Sequence, residues 1–280
     1  MSIKIEQVNY TYGAGTAYEI QALKDVSLKV DDGEFVGLIG HTGSGKSTLI
    51  QLLDGLLRAA SGHIYYDGRD IYSHDFSMRD LRGKVGLVFQ YPEYQLFETS
   101  VLKDVMFGPK NQGFSEAEAE EKAKKALMRV NLPEKYWAMS PFELSGGQKR
   151  RAAIAGVIAM EPNVLILDEP TAGLDPKGRD ELFELIRDLH GKMHMTVLLV
   201  SHSMEDVADY VSRIVVMNHG SVMLDGMPGE VFSHAKELEA AGLAVPQVTY
   251  LMKDLQQAGF AVSDSVTTIE EAKEEILKLC

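Results

Sequence analysis

Four short apolar runs punctuate the chain; the first opens into a glycine-rich loop and the other three close on polar residues. Phe35–Ile39 leads into Gly40, Val85–Phe89 into Gln90, Val164–Leu167 into Asp168-Glu169, and Thr196–Ser201 into His202. Uninterrupted apolar runs of this length are too short for helices and fit strands buried on both faces, as in a parallel sheet. Elsewhere the period changes. Val26, Leu28 and Val30 alternate with Ser27 and Lys29, which predicts a half-buried antiparallel strand near the N-terminus. Ser115-Glu116-Ala117-Glu118 reads as a capping box, followed by one apolar face of Ala119, Ala123, Ala126, Leu127 and Val130. Ile214–Met217 and Ser221–Leu224 flank Asn218-His219-Gly220, a hairpin signal. Near the C-terminus Val248, Leu251, Met252 and Leu255 are helically spaced. Thr268-Ile269-Glu270-Glu271 then caps a last helix expected to turn Ala272, Ile276 and Leu279 inward. There is no internal repeat and no low-complexity tract.

The first run ends in Gly40-His41-Thr42-Gly43-Ser44-Gly45-Lys46-Ser47, and Thr48 to Leu53 continues as a helix. Strand, Gly-rich loop and helix is the context that a phosphate-binding loop requires. Gly43 and Gly45 let backbone N–H groups turn toward phosphate oxygens, and the helix N-terminus adds its positive dipole end. Lys46 is expected to reach the β- and γ-phosphates and Ser47 to hold magnesium. In open α/β sheets, ligands lie at the carboxyl ends of strands. The other three endings should therefore converge on this loop. Asp168 suits a magnesium contact and Glu169 a base that polarises water. Gln90 would sense magnesium or water, and His202 would contact the γ-phosphate.

Leu144-Ser145-Gly146-Gly147-Gln148 precedes a run of good helix formers. A Ser and two glycines at a helix start offer a hydroxyl and bare amides to a second anion. Lys149, Arg150 and Arg151 could extend that anion site but are expected to form mostly solvated helix face. With the phosphate loop and the acidic strand end, this pentapeptide resembles the signature of ATP-binding-cassette (ABC) ATPases over roughly residues 1–230. The resemblance implies an α/β fold: a P-loop NTPase core with an N-terminal antiparallel β subdomain, an inserted helical subdomain and a short C-terminal α-rich extension. Expected boundaries are 1–90 and 161–232 for the core, 91–160 for the helical part and 233–280 for the extension. It further implies that Tyr12, or Tyr10 as the alternative, stacks on adenine, that Thr171–Asp175 is the family's D-loop with Asp175 at the nucleotide, and that Ser145–Gln148 serve the nucleotide of a second cassette in a head-to-tail dimer. ATP and Mg2+ are the implied ligands.

Phe89-Gln90-Tyr91-Pro92-Glu93-Tyr94-Gln95-Leu96-Phe97, the stretch Val101 to Pro109 and Gly40-His41-Thr42 look like the ATPases of energy-coupling factor transporters. That resemblance implies ATP hydrolysis coupled to import of a vitamin or transition-metal ion. The implied partners are a second ATPase subunit, identical or related, a transmembrane coupling protein and a separate substrate-binding membrane subunit. Residues 91–107 would present a mixed apolar and acidic surface to a helix of the membrane partner, and 233–280 would hold the dimer together. The alternatives are the ATPase of another ABC transporter class or an ABC ATPase acting on nucleic acid.

Composition bears on these choices. The net charge is −13 and 45% of the 280 residues are apolar. An acidic surface disfavours tracking of nucleic-acid phosphates and points to docking on protein, not on anionic lipid. The longest apolar run, Ala152–Met160, falls well short of a membrane span. Met1-Ser2-Ile3-Lys4-Ile5 reads directly as strand, without the charged and apolar regions of a signal peptide. A single cysteine, Cys280, leaves no internal disulfide framework. The expected location is the cytoplasmic face of the membrane, reached through protein partners.

Overall fold

The computed structural model describes residues 2–279, so Met1 and Cys280 lie outside it. Its centre is a six-stranded sheet in the order β10-β9-β3-β8-β7-β6. These strands are β3 (Phe35–Ile39), β6 (Val85–Val88), β7 (Val164–Asp168), β8 (Thr196–Val200), β9 (Arg213–Asn218) and β10 (Ser221–Gly226). All pairings are parallel except the β9–β10 hairpin. The four apolar runs of the sequence are thus adjacent, parallel strands. The reason they carry no polar alternation is visible in the packing. Val36, Leu38, Val164, Ile166, Leu198 and Val200 point into one core, whereas Phe35, Ile39, Leu165, Leu167, Val197 and Leu199 point into the other. Successive side chains of a strand face opposite sides, and here both sides are covered.

The first core lies under a four-stranded antiparallel sheet, order β2-β1-β4-β5, made of β1 (Ser2–Tyr12), β2 (Ile20–Asp31), β4 (Ser61–Tyr66) and β5 (Arg69–Asp70). Helix α1 (Lys46–Leu53) is enclosed with it. β2 shows the alternation read from the sequence, with Val26, Leu28 and Val30 buried between exposed neighbours.

Helix α2 (Met78–Lys84) precedes β6, and the second core then receives α3 (Val101–Gln112), α4 (Glu116–Arg129) and α5 (Gly146–Ile158). The Ser115–Glu118 capping box forms, and the Ala119, Ala123, Ala126, Leu127 face is fully buried. Gly86 shows how closely α5 lies on β6. A Cβ at that position would come within 2.5 Å of a Val157 methyl, so a side chain there would lift α5 off the strand that leads to Gln90. α6 (Pro176–Met193) and α7 (Met204–Tyr210) follow β7 and β8 on the same face.

The C-terminal region differs from its sequence reading in two respects. α8 (Pro228–Ser233) and α9 (Ala235–Ala240) pack into the large core, where Ala235, Leu238, Leu243 and Val245 are buried. The small satellite cluster therefore begins at α10 (Gln247–Gln257), not at residue 233, and Tyr250 of that helix still packs against the large core. α10 and α11 (Ile269–Leu277) enclose Met252, Val262, Val266 and Ala272, with Val248, Leu255 and Ile276 against them. Leu251 and Leu279, expected inward, are 46% and 40% exposed. Leu279 lies beyond the helix end, and Leu251 sits on the flank of the α10 stripe, which so small a pair cannot cover.

At the end of α1, Asp54 is buried with only the Arg82 charge to offset it, and burial pushes its carboxyl up to about 7. A raised carboxyl holds its proton longer in the folded chain than in the unfolded one, so this group costs stability as pH rises from near 4 to near 7. Asp54→Asn should raise the melting temperature at pH 8 by roughly 2–4 °C and have little effect at pH 4. Thermal melts at both pH values check this, and an equal shift at each would refute the burial account.

Candidate active site

The loop between β3 and α1 closes tightly on itself. A Cβ at Gly40 would lie 2.4 Å from the Met217 carbonyl oxygen and 2.5 Å from Ser44 Oγ, so no side chain fits. Gly45 sits in the left-handed region (φ 106°) and caps α1. Lys46 is folded into the loop, where its ammonium donates to the Gly40 and His41 carbonyls at 2.5 and 3.1 Å. Burial lowers its pKa, and the nearby Glu169 and Asp168 charges oppose that shift. Ser44 is fully buried with an Oγ that has no partner. The desolvated Lys46 ammonium, at the start of a helix, is a group that an entering phosphate would satisfy.

The pocket over this loop has a volume of about 320 Å³. Its wall takes Thr42, Gly43, Gly45, Lys46, Ser47 and Thr48 from the loop and helix, Glu169 and His202 from the strand ends, and Tyr12 from β1. Tyr12 is 40% exposed at the rim. Its hydroxyl and Thr48 Oγ1 are hydrogen-bonded at 3.2 Å, and Tyr10 packs edge-on against its ring. Ile20, Gln21 and Ala22 complete the wall, a contribution the sequence did not disclose. The signal for it is the β1–β2 pairing, which sets Ile20 opposite Tyr12.

Glu169 follows β7 with a left-handed backbone (φ 48°), and its N–H donates to the Val200 carbonyl at 2.9 Å. Its carboxylate is held from two sides. Gln90 Nε2 donates to Oε2 at 2.9 Å, and His202 Nε2 lies 2.6 Å from Oε1. Gln90 and Asp168 do not line the pocket themselves. Asp168 is half-buried, and its pKa is raised by burial and then by Glu169, against the pull of Lys46 and His202. A carboxylate aimed between two hydrogen-bonding partners beside a phosphate loop can orient and polarise a water molecule.

The remaining expected site residues lie elsewhere on the chain. Ser145 caps α5 reciprocally with Gln148: the Ser145 N–H donates to Gln148 Oε1 at 2.9 Å, and the Gln148 N–H donates to Ser145 Oγ at 3.4 Å. Neither residue, nor Gly146 or Gly147, lines the Lys46 pocket. Asp175 caps α6, accepting from the Gly178 N–H at 2.8 Å, and is likewise absent from the pocket wall. A Cβ at Gly146 or Gly147 would meet nothing within 4 Å. The chain's own packing does not require these glycines. The solvated face expected at 149–151 is corrected at Arg150 and Arg151. Arg150 is buried against Glu93 and the Pro170 and Ala172 carbonyls, and Arg151 reaches the Val130 carbonyl and Glu181. These acceptors come from distant segments that helix periodicity does not reveal.

The sequence matches the ABC transporter family over residues 23–172. It is 58% identical to the energy-coupling factor transporter ATP-binding protein EcfA2 of Clostridium tetani, covering 100% of this chain and 97% of that protein. It is 50% identical to the protein of the same name from Streptococcus agalactiae, covering 99% of each. Among solved structures it resembles cbiO1 from Clostridium perfringens, described as part of the ABC transporter complex cbiONQ. The TM-score is 0.75 at 40% identity, over 90% of this chain and 98% of that one. The ATP-binding cassette MJ0796, solved as a dimer bound to ADP and Pi, gives a TM-score of 0.70 at 30% identity, over 81% of this chain and 98% of that one.

Proposed function

Because the chain belongs to the ABC transporter ATPases, and among them to the energy-coupling factor transporter ATP-binding proteins, we propose that its ATP hydrolysis runs on Glu169 and is delivered to a membrane partner through a groove beside α5. The bracketing of the Glu169 carboxylate by Gln90 and His202 is the observation that carries the chemistry. The adenine stacks on Tyr12, and the phosphates displace the Gly40 and His41 carbonyls from the Lys46 ammonium. Ser47 and Asp168, with Gln90 beside them, would hold magnesium, which neutralises charge on the β- and γ-phosphate oxygens. His202 contacts the γ-phosphate while keeping Glu169 oriented. Ser145, Gly146, Gly147 and Gln148, with Asp175, complete the site of a second cassette, whether a copy of this chain or a relative. The bare Gly146 and Gly147 surfaces support that reading. The α10–α11 piece, with Leu251 and Leu279 exposed, holds the two cassettes together.

The groove has a volume of about 520 Å³. Leu96, Phe97, Phe107, Ala153 and Gly156 line it, together with Asp104 and Arg79. The Asp104 carboxylate accepts from the Phe97 and Glu98 N–H groups at 3.3 and 2.9 Å, which fixes the rim. An apolar groove of this kind fits a short amphipathic helix. The partner we assign to it is a transmembrane coupling protein, itself joined to the membrane subunit that selects a vitamin or transition-metal ion. No helix among the described residues is long and apolar enough to cross a membrane. Attachment at the cytoplasmic face would therefore run through this groove. Gly156 offers the test, since a side chain there meets nothing within 4 Å of its Cβ. Gly156→Arg should leave the chain folded and nucleotide-binding but abolish its co-purification with membrane subunits. Unchanged recovery from detergent-solubilised membranes would reject the docking site.

A further inference from the structure

Arg150 is a buried cation that the chemistry above leaves unused, yet it touches both segments that carry the reacting groups. It is the fifth residue of α5, at the start of the second turn, and is 3% exposed. Its guanidinium meets the Glu93 carboxylate in a fork, with Nε to Oε2 at 3.0 Å and Nη2 to Oε1 at 2.8 Å. On its other side Nη1 donates to the Pro170 carbonyl at 2.9 Å and Nη2 to the Ala172 carbonyl at 3.0 Å. Glu93 lies in the short 3-10 turn Pro92–Gln95 that follows Gln90, and Pro170 follows Glu169 directly. The Gln90–Glu169 hydrogen bond closes the circuit.

The Glu169 segment needs such support. Its left-handed φ is uncommon for a residue with a side chain and persists only where surrounding contacts over-determine it. The Ala172 N–H donates to the Glu169 carbonyl at 3.1 Å, and Arg150 grips two carbonyls of that same turn. Beyond the guanidinium, α5 continues to Ala153 and Gly156 at the groove. We infer that Arg150 is a positioning residue, which holds the Gln90 and Glu169 segments in one geometry and ties that geometry to α5. The inference rests on the proposed roles of Gln90 and Glu169. A planar fork with donors on two sides can span the three segments, and a single ammonium cannot.

The test uses the assembled transporter, with kcat and KM for ATP measured separately, alongside melting temperature. Removing Arg150 alone strands the Glu93 charge and endangers folding, so Arg150→Lys and the double variant Arg150→Met/Glu93→Met are the informative chains. In both, kcat should fall about 10- to 100-fold, the range that misplacement of a reacting group produces, while KM changes far less and the melting temperature stays near that of the parent. Parental kcat in either variant overturns the inference, and so does a loss of kcat that tracks a loss of melting temperature. Glu169→Gln, measured beside them, separates two failures. If it turns over normally, the site reading falls and takes this inference with it. If only Glu169→Gln loses activity, the role of Arg150 alone is rejected.

Discussion

Glu169→Gln is expected to lower ATP turnover by at least about 100-fold, the scale of losing a general base, while leaving nucleotide binding in place. The substitution keeps the size of the side chain and an oxygen that can accept from His202. Gln90 can meet the new amide by turning its own. What disappears is the negative charge. That charge is the second cause of the raised Asp168 pKa, so its removal lets Asp168 ionise more readily. Binding of Mg-nucleotide should therefore hold or tighten as hydrolysis collapses. Steady-state phosphate release and titration with a fluorescent nucleotide analogue report the two effects independently. Turnover close to the parent's would remove Glu169 from the chemistry and leave the hydrogen bonds around it as packing alone.

The second large effect depends on which chain Ser145 serves. In dimers that combine one Ser145→Arg subunit with one Lys46→Ala subunit, the head-to-tail arrangement puts both lesions on one composite site and leaves the other whole. Such dimers should retain clear hydrolysis, whereas dimers carrying either lesion twice should have almost none. If Ser145 acted on its own subunit's nucleotide, the mixed dimer would have one lesion in each site and would be as inactive as the doubled forms. Where the natural partner is a related cassette, the lysine lesion belongs in that partner's phosphate loop. Nucleotide occupancy of each site should be measured as well, because coupling between sites can mask a surviving one. The structure supports a clean comparison: Ser145 is exposed, a Cβ at Gly146 or Gly147 would meet nothing within 4 Å, and replacement of Ser145 should cost only a helix cap, about 1 kcal/mol.

Much of the site was legible because local patterns carry it. The candidate phosphate loop is a contiguous stretch built on backbone turns and a helix start, so Gly40 to Thr48 could be singled out from residue types alone. The central strands were equally plain, since a strand buried on both faces must be apolar throughout, and their polar endings pointed to one edge of the sheet. Other features depend on pairs of residues far apart in the chain, and no local pattern encodes those. Ile20 to Ala22 reach the pocket only because β2 pairs with β1 in a particular register. Arg150 looked like helix surface until Glu93 and the 170–172 turn closed over it. Leu251 and Leu279 have the apolar character of core positions, but the α10–α11 pair encloses too small a volume to bury them. Residue type and spacing thus decided the family, the candidate phosphate loop and the strand set. Burial of charge, the edge of each core and the separation of Ser145 from its own Lys46 pocket were decided by which surfaces met in three dimensions.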